Sequence, residues 1–322
     1  MFDVVAIGEL LIDFTFYGNN DSGTALFARN PGGAPANALA ANSRLGGKTA
    51  FIGKVGNDDF GRFLKQTLED SQIDTSGLAM TDQVHTTLAF VQLDQHGDRS
   101  FSFYRKPGAD IMLTADELND DLLSNTHILH FGSVSMTEEP SRGATMAAVT
   151  RAKEKGAIIS YDPNFRAPLW ENTADAVRQM TVPIPLADLI KVSEEELYLL
   201  TGEKDLERGA GMLLHQGVSL VMVTLGPDGA FYKTGACSGL LPAYDVATVD
   251  TNGAGDAFTG GVHYCLRNKS LTDIRNLSRT EMDSIIRFGN AVGSLTTTRG
   301  GAIPALPTLQ EVQALLAENK TL

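Results

Sequence analysis

The sequence predicts an α/β fold in three layers, with a mostly parallel sheet covered by helices on both faces. Three observations point there. Short apolar runs the size of buried strands recur along the chain and alternate with amphipathic helical patterns. Strands that alternate with helices imply a mostly parallel sheet with both faces covered. The length, 322 residues, is long for one compact domain and short for two, so a single large domain over 1–322 with a small appendage fits best.

In chain order the strand-like runs are VVAIG (4–8), TAFIGKVG (49–56), HILHFG (127–132), AIISYD (157–162), DLIKVS (188–193) and LVMVTLG (220–226). Helical patterns fall at 59–68, where Phe60, Phe63, Leu64 and Leu68 share a face, and at 145–153 and 207–215. The last clear helix, 309–316, follows the breaks at Pro304 and Pro307. In such a fold ligands sit beyond the carboxyl ends of the strands.

Two stretches depart from the alternation. Residues 11–17 are rich in aromatic and β-favouring side chains, and 86–105 read as a hairpin turning at Gln95–Asp98. In its second arm Phe101 and Phe103 share one face, Ser102 and Tyr104 the other. Strands without a crossover helix do not belong in the main sheet, so these form a small β-lid at its edge. The hairpin alone is equally consistent with an ordinary surface hairpin.

The net charge of −13 excludes attraction to nucleic acid or an anionic membrane through the bulk field, so local donors must hold any anionic substrate. Hydrophobic residues at 43% and charged residues at 20% fit a soluble globular protein. Two unpaired-looking cysteines, Cys237 and Cys265, fit a reducing cytosol. The N-terminal apolar run stops at Glu9 with no basic region before it, so it reads as a strand and not as a signal peptide. No apolar stretch approaches the roughly 20 residues of a membrane span.

The chemistry concentrates in DTNGAGDAFTGGVHYCL, 250–266. Gly253, Ala254 and Gly255 precede a helix that starts near Asp256 and puts Phe258, Val262, Cys265 and Leu266 on its core face. Glycines at a helix start expose backbone N–H groups, which bind anions together with the helix dipole. Asp256 in the first turn stands beside such an anion, where a base can take a proton from an attacking hydroxyl. Taken alone, a Gly-x-Gly-Asp is more often a plain turn with a helix-start aspartate.

The wider context decides. The segment closely resembles the second signature of the ribokinase/PfkB carbohydrate kinases, Asp-Thr-x-Gly-Ala-Gly-Asp. GELLIDF (8–14), PGGAPANALAANSRLG (31–46) and KVGNDDFG (54–61) resemble the first signature and its flanks. The likeness runs from about residue 4 to about residue 308. It implies a ribokinase-like fold and ATP-dependent transfer of a γ-phosphoryl group to a primary sugar hydroxyl. Asp256 is then the base, and Gly253, Ala254 and Gly255 supply the anion-binding amides. It also implies that Asp13, Gly32, Gly33, Asn37 and Arg105 contact the sugar. Carboxylates and amides suit hydroxyl groups, and glycine lets the backbone approach the ring.

DPNFR (162–166) resembles the fructokinase branch, with Arg166 offsetting phosphoryl charge and Asn164 on a phosphate oxygen or a metal-bound water. KVSEEE (191–196) has Ser193 where the family more often has Asn. The resemblance puts Lys191 and Ser193 on the nucleotide side and gives Glu196 the task of organising Mg2+ through water. Thr224, Gly226, Gly229 and Asn290 line the nucleotide in the family. The loop 296–307, with Asp250 and Asn252, resembles one that binds a monovalent cation such as K+. FYRKPGAD (103–110), DPNFR and Ser193 favour fructose over 2-keto-3-deoxygluconate, tagatose and ribose. The family resemblance also suggests a homodimer through the lid.

Three patterns mislead. LGGKT (45–49) lacks the first glycine of a P-loop, because residue 42 is Asn, and it leads into a strand. His127 and His130, three apart on a strand, point to opposite faces and share no metal. No Gly-x-Gly-x-x-Gly follows the first strand, which disfavours a nicotinamide oxidoreductase. A catalytically idle sugar-binding protein is the remaining alternative, and the intact Asp256 argues against it.

Overall fold

The computed structural model describes residues 1–93 and 99–318. The chain starts with β1 (Phe2–Ile7), then forms a hairpin of β2 (Leu11–Asn19) and β3 (Ala25–Gly32). It continues through α1 (Ala34–Arg44), β4 (Thr49–Gly56), α2 (Asp59–Asp70) and β5 (Ile73–Thr81). A second hairpin, β6 (Leu88–Leu93) and β7 (Arg99–Tyr104), precedes α3 (Asp120–Ser124), β8 (Thr126–Gly132), α4 (Ser141–Glu154) and β9 (Ile158–Asp162). Next come α5 (Thr173–Thr181), β10 (Leu189–Ser193), α6 (Glu194–Thr201), α7 (Leu206–His215) and β11 (Leu220–Thr224). The chain ends with β12 (Ala230–Thr234), β13 (Ser238–Leu241), α8 (Ala254–Leu266), α9 (Leu271–Arg275), α10 (Arg279–Thr296) and α11 (Leu309–Glu318).

Nine strands form the main sheet in the order β13-β12-β11-β10-β9-β8-β1-β4-β5. All neighbours are parallel except the pairs that β12 makes with β11 and β13. From β1 the chain first builds outward to β4 and β5, then returns to the other side of β1 with β8. The order reverses beside β1, and such a switch point opens a crevice at the carboxyl ends of the strands. Successive residues of β1 serve opposite layers. Val4 and Ala6 pack into the core under α1, α8 and α10, and Val5 and Ile7 into the core under α4 and α7.

The second sheet, β3-β2-β6-β7, is the lid. It contains one strand more than the sequence suggested. β3, ALFARNPG, has neither clean alternation nor a continuous apolar run, so its periodicity is silent and the insertion extends to Gly32. The lid docks on α2, where Phe14 meets Phe60 edge-on at 5.8 Å and the Arg29 guanidinium lies 3.8 Å from the centre of the Phe63 ring. Phe103 faces the main sheet and Tyr104 faces outward, as alternation requires. The expected turn at 95–98 and the side chain of Phe101 lie outside the described residues.

At the root of the lid the structure corrects one expectation. Arg105 does not face the crevice; it is 4% exposed and turned into the fold. Its Nε and Nη2 donate to Asp110 Oδ2 at 2.8 and 2.7 Å, Nη1 to Thr137 Oγ1 at 2.7 Å and Nη2 to the Val134 carbonyl at 2.9 Å. Thr87, just before β6, donates to the other oxygen of Asp110 at 2.5 Å. The planar five-donor fork is therefore occupied in tying both arms of the hairpin to the segment after β8. Arg105→Met is expected to lower the unfolding free energy by about 3–5 kcal/mol, because it strands a buried carboxylate. The double change Arg105→Met with Asp110→Leu should recover at least half of the loss. Urea titration of the three proteins checks this, and a single variant as stable as the wild type would remove the assigned role.

Candidate active site

The crevice is a cleft of about 330 Å³ at the carboxyl ends of β1, β9 and β10, faced by the N-termini of α1 and α8 and by the lid. That volume suits a small polar ligand. Its floor comes from two helix starts with the same peculiarity. Gly253 precedes α8 with φ 74°, and Gly33 precedes α1 with φ 122°; neither offers a side chain to cap the first turn. A Cβ at Gly33 would stand 2.3 Å from the Glu9 carbonyl oxygen, and one at Gly253 2.6 Å from the Ala302 Cβ. Only glycine serves at either place. The α8 start thus presents backbone N–H groups and the positive end of a 13-residue helix to the cleft.

Asp256 lies in the first turn of α8, and its Oδ2 accepts a hydrogen bond from Asn37 Nδ2 at 2.8 Å. Burial, then the negative charge of Asp162, raise the Asp256 pKa, while Lys191, Asn37 and Arg166 pull it down. A carboxyl that gains protons this readily suits a group that must accept one from a hydroxyl. Lys191 is buried and holds Asp162 Oδ2 at 3.0 Å. Burial opposes its charge, but Asp162, Glu196 and Asp256 outweigh it and hold the ammonium above the usual lysine pKa. A Cβ on Gly255 would lie 3.2 Å from Lys191 Nζ, so the cation stands directly behind the glycine turn.

Asn164 and Arg166 follow β9 and line the same cleft. Asn164 takes φ 48°, a left-handed conformation asparagine tolerates. The Arg166 Nη1 donates to the Phe165 carbonyl at 3.1 Å. Glu196 holds this loop. Its Oε1 accepts the Phe165 N–H at 2.6 Å, and its Oε2 accepts the Ser193 N–H at 2.7 Å, while Ser193 Oγ accepts the Glu196 N–H in return. This is a capping box that also anchors the neighbouring loop. Both carboxylate oxygens thus sit on backbone N–H groups, and no cluster of three or more His, Cys, Asp or Glu that could hold a metal exists among the described residues. Each Glu196 oxygen accepts one N–H here and keeps acceptor capacity for a metal-bound water, the kind of contact Mg2+ makes while keeping its waters.

Asp13 from β2 faces the cleft beside Gly32, whose Cβ would fall 2.3 Å from Asp13 Oδ2. Burial pushes Asp13 up to about 6, with Arg166 opposing and Asp256 adding to the rise. The structure therefore brings together Asp13, Gly33, Asn37, Asn164, Arg166, Lys191, Ser193, Glu196, Asn252 and the 253–256 turn.

It does not bring the remaining candidates into this cleft. Thr224, Gly226 and Gly229 form the β11–β12 turn, with the Leu225 N–H on the Gly229 carbonyl. Asn290 is 5% exposed and donates its amide to the carbonyls of Leu241 and Pro242, both at 3.0 Å, so its N–H groups hold the backbone rather than face the cleft. Asp250 ties two loops, accepting from the N–H groups of Asn252 and Gly301 at 3.0 and 2.9 Å. His127 meets the Lys269 carbonyl and His130 meets Ser160, on separate partners. Sequence reasoning missed two residues, Glu9 and Asp162. Each is an acid at the carboxyl end of a buried apolar run, which is the signal that could have found them.

Residues 1–309 match the pattern of the pfkB family carbohydrate kinases. The chain belongs to this family. It is 44% identical over 317 residues to a probable fructokinase-2 of Arabidopsis thaliana, covering 97% of this chain and 95% of that one. It is also 44% identical over 318 residues to fructokinase-1 of Zea mays, covering 97% of each. Among solved structures, a fructokinase from Xylella fastidiosa with bound ATP superposes with a TM-score of 0.92 at 35% identity over 99% of both chains. A fructokinase from Vibrio cholerae O395 bound to fructose, ADP and calcium does so at 0.86 and 36% identity, over 97% of this chain and 98% of that one.

The raised Asp13 carboxyl makes a stability prediction. The folded state keeps a proton on Asp13 up to about pH 6, while the unfolded chain releases it near 3.8. Between these values the folded state binds more protons, so this contribution to stability falls as pH rises. Asp13→Asn should remove roughly 2–3 kcal/mol of the decline between pH 4 and pH 7. Urea midpoints at the two pH values check it, and equal declines in the two proteins would overturn the buried-acid reading.

Proposed function

We propose that this carbohydrate kinase transfers the γ-phosphoryl group of ATP to the primary C6 hydroxyl of fructose, giving fructose 6-phosphate and ADP. The observation that carries the reading is the placement of Asp256. It combines an open helix N-terminus, a buried cation and a neighbouring amide around one carboxylate. The sugar hydroxyl gives its proton to Asp256 as its oxygen bonds to phosphorus and the bond to the ADP oxygen breaks. Asn37 holds the carboxylate oriented for that transfer. The 253–256 amides, Lys191 and Arg166 offset charge on the phosphoryl oxygens, with Asn164 on the same side. Glu196 fixes the 164–166 loop and would hold a water of Mg2+, which when bound would neutralise phosphate charge. Thr224, Gly226 and Gly229 are the proposed nucleotide edge, with Asn290 acting through the 241–242 backbone. Asp250 and the Asn252 carbonyl are the proposed monovalent-cation site.

The choice of fructose rests on the fructokinase relatives and on local charge. The sugar end contains Asp13 and Asn37, and Arg105, the cation expected there, lies at the lid root instead. A neutral ketose leaves Arg166 and Lys191 to the phosphoryl group, whereas the carboxylate of 2-keto-3-deoxygluconate would compete for them. Turnover of ATP with Mg2+ and K+ against fructose, ribose, tagatose, 2-keto-3-deoxygluconate and adenosine tests the reading. Fructose alone is expected to turn over well; preference for another acceptor would discard the branch. Asp256→Ala is expected to lower kcat by about 10²–10⁴ with a smaller change in sugar binding. Near wild-type turnover would sink the base assignment.

The free cysteines Cys237 and Cys265 support a reducing, cytosolic setting. The outer face of the lid supports a homodimer. Phe16, Phe27 and Tyr104 are exposed there, and the Phe27 and Tyr104 rings pack on Phe90. Size-exclusion light scattering is expected to give twice the mass of the 34.4 kDa chain, reduced to one by Phe16→Glu with Tyr104→Glu. A monomeric wild type would remove the lid dimer.

A further inference from the structure

Glu9 stands between β1 and β2, is 3% exposed and lines the cleft at its sugar end. Its two oxygens have different fates. Oε1 accepts the Ala34 N–H at 3.0 Å, satisfying the first turn of α1, which Gly33 cannot cap. Oε2 is fully buried and has no hydrogen-bond partner; the Glu9 N–H acts on the carboxyl but makes no bond to it of good geometry. The nearby charges do not supply one, because Arg105 and Asp110 are bound to each other and to Thr87, Thr137 and Val134. A buried carboxylate oxygen without a donor is costly in a folded protein and calls for an explanation.

Resting on the sugar-kinase reading, we propose that Glu9 is a specificity-determining residue: Oε1 fixes the start of α1, and Oε2 binds one hydroxyl of the sugar. The neighbours of Glu9 support this. The backbone of Glu9 abuts Gly33, and Gly33, Ala34, Asn37 and Asp13 line the same end of the cleft. The ligand that completes the carboxyl is a polyol, because a hydroxyl both donates and accepts. Burial pushes Glu9 up to about 7, and a hydroxyl that donates to Oε2 draws it back toward the ionised carboxylate, which can only accept. A phosphate suits only the protonated acid and is repelled by the ionised one, which places Glu9 on the sugar and not on the nucleotide.

The test uses Glu9→Gln, which keeps a carbonyl oxygen for Ala34 and replaces the free oxygen with an amide. Sugar kinetics are measured for fructose and for its 1-, 3- and 4-deoxy analogues. The variant is expected to lose about 10- to 100-fold in kcat/KM for fructose, the worth of one hydrogen bond to a carboxylate. The KM for ATP and the thermal midpoint should stay near wild type. With one deoxy analogue the variant and wild type should become equal, which identifies the hydroxyl. An equal loss on every analogue, or a rise in the KM for ATP, would mean that Glu9 only caps α1 and would overturn the proposal. So would a variant indistinguishable from wild type on fructose, the result expected if a water serves Oε2. Wild-type protein that phosphorylates none of the sugars would overturn the kinase reading and this proposal with it.

Discussion

The cleft depends on how closely α1 and α8 approach. Gly260 sets that distance. A Cβ there would stand 2.4 Å from the Ala38 carbonyl oxygen and 2.7 Å from the Ala41 Cβ. Asn42 adds a hydrogen bond to the Gly260 carbonyl at 3.3 Å. Gly261 and Gly289 give α8 a similarly close fit against α10, with Val292 and Phe258 in the space a side chain would take. With the two helices this near, Asn37 reaches Asp256 one turn from the start of each. A hydrogen bond of 2.8 Å tolerates little drift, so the packing of small residues deep between the helices governs the orientation of a carboxylate at their ends.

A second constraint is electrostatic. The cleft concentrates ionisable side chains where solvation is poor, and only some are matched. Lys191 and Asp162 form a buried pair, whereas Asp13 and Glu9 are acids that burial drives toward the neutral form. Such groups weaken the unliganded fold and gain partners when a polyol and a phosphate chain enter. In the proposed reaction the acids that burial leaves poorly matched would meet the sugar, and the paired Lys191 would meet the phosphates.

Much of this was legible in the sequence because the responsible residues act locally. The six apolar runs became central strands within a residue or two, and Gly253 and Asp256 sit at the helix start their spacing implied. Asn37 was identified, but not its bond to Asp256, which joins segments far apart in the chain. Arg105 misled because its type suggests an anion and its position suggests the lid; the carboxylate that captures it, Asp110, follows only five residues later. The bonds of Asn290 were equally hidden, since nothing in RFGNAVGSL reveals the carbonyls at 241 and 242. β3, β5, β12 and β13 escaped because short, mixed or edge strands lack the continuous apolar run of a buried parallel one.

The Asn37–Asp256 bond closes a loop of 219 residues, with the sugar-side groups made early and the phosphate-side turn late. During synthesis the emerging chain contains Asp13, Gly33 and Asn37 long before it contains a base or an anion-binding helix start. A growing or proteolytically shortened polypeptide that ends before residue 253 therefore lacks Asp256 and the start of α8, and with them one wall of the cleft. The proposed base and the amide that orients it therefore come together only once most of the chain has been made.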